Sequence, residues 1–192
     1  METIIKNGAN GNTLVVDNKG RAHTFTIEET QYQEATELGY AFNINTGLIN
    51  ITSESALLYF KSNEEDTFVV GSFEVGLQAG TGVAGTKPEV TVIRNPSLGT
   101  IVSGASNVAI KQNLNFGSSN TLDSVNYKGA SGNTFTNGDA CVYIFQNFES
   151  RVALDIDYDL TKGSSFGIKI NPNLASGSVN VFVAITGYIK KK

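Results

Sequence analysis

From Arg151 to Leu160 large apolar residues alternate strictly with charged or small ones: Val152, Leu154, Ile156, Tyr158 and Leu160 against Arg151, Ala153, Asp155, Asp157 and Asp159. A period of two puts every large apolar side chain on one face of a strand and leaves the other face wet. The turn Thr161-Lys162-Gly163-Ser164 follows. Phe166, Ile168 and Ile170 then repeat the period, and Asn171-Pro172-Asn173 opens a second turn that closes at Gly177. In the last strand Val179, Val181, Val183 and Ile185 alternate with Asn180, Phe182, Ala184 and Thr186. Both of its faces are fairly apolar, so it is expected inside a sheet or at a subunit contact. The three segments together predict an antiparallel meander.

The rest of the chain reads as short strands broken by turn residues. Thr13–Val16 and His23–Ile27 flank Asp17-Asn18-Lys19-Gly20 and predict a small amino-terminal hairpin. Asn7–Asn12 is too polar and glycine-rich to fold alone, so the first dozen residues are expected to form an arm that orders on a partner. Glu28–Leu38, with acids at its start and Gly39 as a stop, predicts one short connector helix. Strands follow at Tyr40–Ile44, Leu48–Thr52 (after a turn at Asn45-Thr46-Gly47), Ala56–Lys61, Thr67–Leu77, Val90–Ile93 and Ala140–Phe145. Within Thr67–Leu77, Phe68 and Val70 differ in parity from Phe73, Val75 and Leu77, which predicts a bulge at Gly71 or Ser72. Ala79–Pro88 reads as an exposed loop, and Ser97–Thr136 as short strands and long loops where binding contacts would gather. The fold class expected is all-β: an antiparallel two-sheet jelly-roll-like β-sandwich (40-192) behind an amino-terminal arm, hairpin and short helix (1-39). An up-and-down barrel is the alternative.

Composition narrows the function. A formal charge of −4 provides no basic field for nucleic acid, and Lys190-Lys191-Lys192 is too short a tail to change that. No apolar run approaches the roughly 20 residues that span a bilayer, so no membrane partner is expected. The single cysteine, Cys141, lies in an apolar run and reads as a core thiol; with one cysteine there is no internal disulfide.

Candidate chemistry is thin. Asp155, Asp157 and Asp159 would place three carboxylates on one strand face, as a calcium site would, but the sixth loop position is Leu160 rather than Gly and the twelfth is Phe166 rather than Glu. A solvated face, or a sheet edge protected by charge, is the preferred reading. His23 is the only histidine, which leaves little for Ser-His-Asp or Cys-His catalysis and no ordinary zinc set. Glu64, Glu65 and Asp66 are adjacent acids in a turn, read as solvating charges rather than a glycosidase pair. Gly76–Gly85 lacks the G-x-x-x-x-G-K-[ST] pattern of a phosphate cradle. Phe42, Tyr59, Phe60, Phe68, Phe73, Phe145, Phe148, Phe166, Phe182 and Tyr188 fall in or beside predicted strands and are assigned to the core; a carbohydrate platform would need some of them exposed side by side. No catalytic, cofactor or metal residues are assigned, and no enzymatic activity is expected.

Several segments resemble a family of small virion structural proteins of tailed bacteriophages. They are Gly39-Tyr40-Ala41-Phe42-Asn43-Ile44-Asn45-Thr46-Gly47, Leu57–Glu65, Ile93-Arg94-Asn95-Pro96 with Gly99-Thr100-Ile101, Asn115-Phe116-Gly117-Ser118-Ser119-Asn120, Tyr127-Lys128-Gly129-Ala130, Lys162–Ile168 and Val179-Asn180-Val181. Their order across Tyr40–Ile189 carries the resemblance. It implies a component of the virion, synthesised in the host cytoplasm, without catalytic residues or cofactors. The role expected is a capsid decoration or cement protein, a homotrimer bound to the major capsid protein or another virion protein through its arm. A tail, neck or fibre-associated protein that contacts a host receptor or glycan is the alternative.

Overall fold

The computed structural model describes residues 30–191, together with the backbone of three short strands before them. These are β1 (Thr3–Lys6), β2 (Thr13–Val16) and β3 (Ala22–Thr24), paired antiparallel in the order β1-β2-β3. They lie in a compact unit of their own, Met1–Thr30. The expected hairpin is the β2-β3 pair, and Thr3–Lys6, read as part of an unstructured arm, adds a third strand. Asn7–Asn12 lies outside the described residues.

The second unit, Gln31–Lys192, opens with helix α1 (Gln31–Glu37). The chain divides at Thr30, so α1 belongs to the sandwich unit, whereas the sequence reading grouped it with the arm. It continues through β4 (Ala41–Ile51), β5 (Ser55–Ser62), β6 (Thr67–Ala79), β7 (Ala84–Gly85), β8 (Glu89–Arg94), β9 (Ile110–Asn113), β10 (Ser124–Lys128), β11 (Asp139–Phe145), β12 (Ser150–Leu160), β13 (Ser165–Asn171), β14 (Leu174–Ser176) and β15 (Val179–Lys190). One sheet runs β12-β6-β15-β4-β9 and the other β10-β5-β13-β8-β11; β7 and β14 form a small ribbon. Without β9 and β10, the orders β12-β6-β15-β4 and β5-β13-β8-β11 are the eight-strand arrangement of a jelly roll. On one side Val108 bridges to Tyr127 and Ala109 N donates to Asn126 O at 3.1 Å, so the segment leading into β9 also bonds β10. On the other side, among the described residues, β11 and β12 are unpaired edges, so the fold is a sandwich open on that side and not a closed barrel.

The core lies between the two sheets. Phe42, Phe60, Phe68, Phe73, Phe166, Ile44, Ile168 and Val181 are among its fully buried side chains, each contributing roughly 1.5–3 kcal/mol by leaving water. Gly71 is the extra residue of β6 against β15: Ser72 pairs with Thr186 and Val70 with Gly187. This bulge resets the parity, so that Phe68 and Val70 reach the same core as Phe73, Val75 and Leu77.

Two expectations are corrected. Asn45-Thr46-Gly47 is not a turn but a bulge inside the continuous β4, where two residues face Val183 of β15. Thr46 Oγ1 accepts the Val183 N–H at 3.1 Å, and Gly47 takes a φ of 65° that a side chain would resist. The meander does not form either. β12 pairs with β6, β13 with β5 and β8, and β15 with β6 and β4, so the turn at Thr161–Ser164 carries the chain between sheets. The apolar face of β12 is therefore only partly covered, because an edge strand has a neighbour on one side. Ser97–Thr136 holds the short strands β9 and β10 between long loops, as expected, and part of it packs on the sheet. Leu98, Ile101 and Phe135 pack with Tyr59 as a second small cluster, on the outer face of the β5-β13 sheet.

Candidate functional site

The most constructed feature of the surface lies where α1 ends. The helix stops in a Schellman turn, with Tyr40 N donating to Ala35 O at 2.7 Å and Gly39 N to Thr36 O at 3.1 Å. Gly39 has a φ of 75°, and a Cβ there would lie 2.1 Å from Ser118 Oγ. The stop therefore needs glycine both for its backbone and for the loop that packs on it. Three carbonyls at this end have no helical partner, and asparagine amides from the loop satisfy them. Asn115 Nδ2 donates to Glu37 O at 2.7 Å, Asn120 Nδ2 to Leu38 O at 3.1 Å and Asn113 Nδ2 to Gly39 O at 2.8 Å. The loop also ties to itself: Asn115 N donates to Asn113 Oδ1 at 2.8 Å, and Gly117 N to Asn115 Oδ1 at 3.0 Å. At its tip stands Phe116, 93% exposed, with Leu38 57% exposed at the helix end to which the loop is tied. The loop thus holds a large apolar ring in water in a fixed position.

A cleft of about 600 Å³ opens where the edges of β11 and β12 part; Arg94, Cys141, Tyr158, Leu160 and Phe166 are among its lining residues. Both edges are irregular there. β11 bulges at Cys141, and β12 bulges between Asp155 and Tyr158, where Asp157 takes a φ of 46°. Cys141 is exposed rather than a core thiol, because β11 is an edge strand, and its Sγ lies 3.4 Å from Val92 O. Burial, and then the Cys141 thiol beside it, pushes the Tyr158 hydroxyl up from its ordinary pKa.

The bulge in β12 interrupts the face on which Asp155, Asp157 and Asp159 were expected to align. Asp157 and Asp159 help to raise the pKa of Tyr188, whose main cause is burial. Among the described residues no group of three or more His, Cys, Asp or Glu is placed to hold a metal ion. The acids of Glu64–Asp66 act in structure: Glu64 accepts the Asp123 N–H at 2.6 Å, Glu65 pairs with Lys162, and Asp66 pairs with Lys191 at 3.1 Å. Ala84–Gly85, from the glycine-rich stretch, pairs with β14. The side chain of His23 lies outside the described residues. Among the described residues no helix is long and apolar enough to cross a membrane.

Of the aromatics assigned to the core, Phe42, Phe60, Phe68, Phe73 and Phe166 lie there, Phe148 packs partly against it, and Tyr59 joins the smaller cluster. Phe182 and Tyr188 lie on the outer face of their sheet, Tyr188 edge-on to Tyr32 of α1 with ring centroids 6.1 Å apart. Phe145 is 64% exposed, because Val142 and Ile144 take the inward positions of β11. Phe116 and Tyr143 were singled out by no periodic signal. The asparagines around Phe116 are the one trace of its site in the sequence.

No protein-family model matches the chain, and no curated protein matches it. Among solved structures it is similar to the Yersinia pseudotuberculosis-derived mitogen, at 10% identity and a TM-score of 0.34 over 78% of this chain and 87% of that one. It is also similar to the Triatoma virus empty capsid, at 10% identity and a TM-score of 0.25 over 100% of this chain and 79% of that one. A third is the infectious bursal disease virus Gx strain, at 13% identity and a TM-score of 0.12 over 80% and 38%. These values are too low to carry a functional comparison.

Proposed function

We propose that this protein is a non-enzymatic structural component of a bacteriophage particle, and within that class a capsid decoration protein that acts as a homotrimer. The observation that carries the reading is Phe116, 93% exposed on a loop tied to the carbonyls of Glu37, Leu38 and Gly39. Exposing such a ring is unfavourable unless a partner covers it, and the asparagine ties remove the entropy cost of holding it ready. The amino-terminal unit supports the same reading. Thirty residues are too few to bury a core of their own, so a three-stranded unit of that size is completed by another surface, here the capsid shell. A contact made only on the assembled shell stabilises that state by mass action.

The test is copy number in purified particles, by quantitative mass spectrometry against the major capsid protein. About one copy for every one to three capsid subunits is expected from a trimer distributed over a symmetric shell. A few to a few dozen copies would overturn the decoration role and favour a tail, neck or fibre position.

A further inference from the structure

β11 is the edge of its sheet, and its outer face carries two aromatic rings with nothing packed over most of their surface. Val142 and Ile144 pack against the core, so Tyr143 and Phe145 alternate onto the opposite face, 61% and 64% exposed. Two residues along a strand set their origins about 7 Å apart on one side. Exposed aromatics on an edge strand invite aggregation, and their presence calls for an occupant.

The register supplies polar groups beside both rings. Tyr143 lies opposite Thr91, and Thr91 opposite Lys169; Phe145 lies opposite Glu89, and Glu89 opposite Asn171. Neighbouring strands are about 5 Å apart, so the Glu89 carboxylate stands one strand from the Phe145 ring and the Asn171 amide two strands away. Thr91 Oγ1 donates to Glu89 Oε1 at 3.3 Å, and Lys169 is held by Glu54 at 3.1 Å. The surface combines two adjacent aromatic faces with a carboxylate and an amide.

We propose that Tyr143 and Phe145 form a stacking platform for a neutral saccharide chain, with Glu89 and Asn171 as its hydrogen-bonding flank. The C–H face of a sugar ring lies flat on an aromatic ring, and its hydroxyls donate to the Glu89 carboxylate and accept from Asn171 Nδ2, whose Oδ1 already takes the Asn173 N–H at 3.0 Å. Other occupants suit the surface less well. A dry protein contact would desolvate Glu89 and Lys169 beside the rings. Nucleic acid would meet a carboxylate on a chain of net charge −4. The platform is separate from Phe116 and does not depend on where the protein sits in a particle.

The test is isothermal titration of the full-length protein with malto- and chito-oligosaccharides, and in parallel co-sedimentation with purified bacterial cell-envelope polysaccharide. Saturable binding to a soluble oligosaccharide identifies the sugar unit as sufficient; binding to the envelope polymer alone identifies a host-surface polysaccharide as the source. Both side chains are mostly exposed, so Tyr143→Ala and Phe145→Ala keep the fold, checked by circular dichroism. Each is expected to weaken binding about ten-fold or more, as loss of an aromatic stacking surface does, while Phe145→Tyr retains it. Silence across the panel, or binding unchanged in the double alanine variant, would overturn the proposal. So would a wild-type oligomer, dimer or trimer, in sedimentation equilibrium that the double variant dissociates, which would make the face an interface between copies.

Discussion

The same side chain does opposite work at different positions. Phe60 and Phe68 are fully buried with ring centroids 5.0 Å apart, whereas Phe116 stands almost wholly in solvent. Removing a ring that touches so little costs little stability. Phe116→Ser is expected to leave unfolding free energy within about 0.5 kcal/mol of wild type in a urea titration, while lowering incorporation of the protein into particles. Full incorporation of this variant would take Phe116 out of the contact surface. Hydropathy does not separate the two kinds of phenylalanine. What distinguishes Phe116 is its neighbours, since Asn113, Asn115 and Asn120 are placed to bond the end of a helix far away in sequence.

Among the elements, β4 shows how a local signal misleads. Asn45-Thr46-Gly47 has the composition of a turn, and Gly47 does take a left-handed φ, yet the strand continues because β15 supplies a partner on both sides of the bulge. Thr46, buried, replaces the lost ladder bond by accepting the Val183 N–H. Thr46→Val keeps the shape and removes the acceptor, leaving that N–H buried without a partner. It is expected to cost about 1–3 kcal/mol in equilibrium unfolding, with Thr46→Ser recovering most of the loss. A valine variant as stable as wild type would show that the amide finds another partner. The edge strands β11 and β12 teach a related lesson. The alternation of β12 names the face that turns inward, whereas Cys141 and Phe145 of β11 were expected in the core; position at an edge leaves both exposed, and Leu154 more than a third exposed.

For the whole molecule, the separation of a small amino-terminal unit from the sandwich makes a direct prediction. The core cluster of the described residues runs from Phe42 to Ile189, all within the second unit. Deleting Met1–Thr30 is therefore expected to leave a folded sandwich with a cooperative thermal transition, and to abolish incorporation into particles. Loss of β-sheet structure by circular dichroism would show that the sandwich depends on the deleted segment. Incorporation at the wild-type level would show that the anchoring contact lies elsewhere, with Phe116 the first candidate.

The sequence by itself determined that the chain is built of strands, and largely which residues of each strand face inward. A period of two is a property of the backbone and needs no knowledge of the partner. The short helix with its glycine stop and the resetting bulge at Gly71 were legible for the same reason, as local conformational demands. Only the tertiary structure decided which strands are neighbours, because the turn after Leu160 is compatible with a hairpin or a crossing between sheets, and distant hydrogen bonds choose between them. The tertiary structure also decided which apolar residues remain in water. Phe116, Tyr143 and Phe145 are exposed because of what does not pack over them, and one strand's alternation carries no information about the far side of its own sheet.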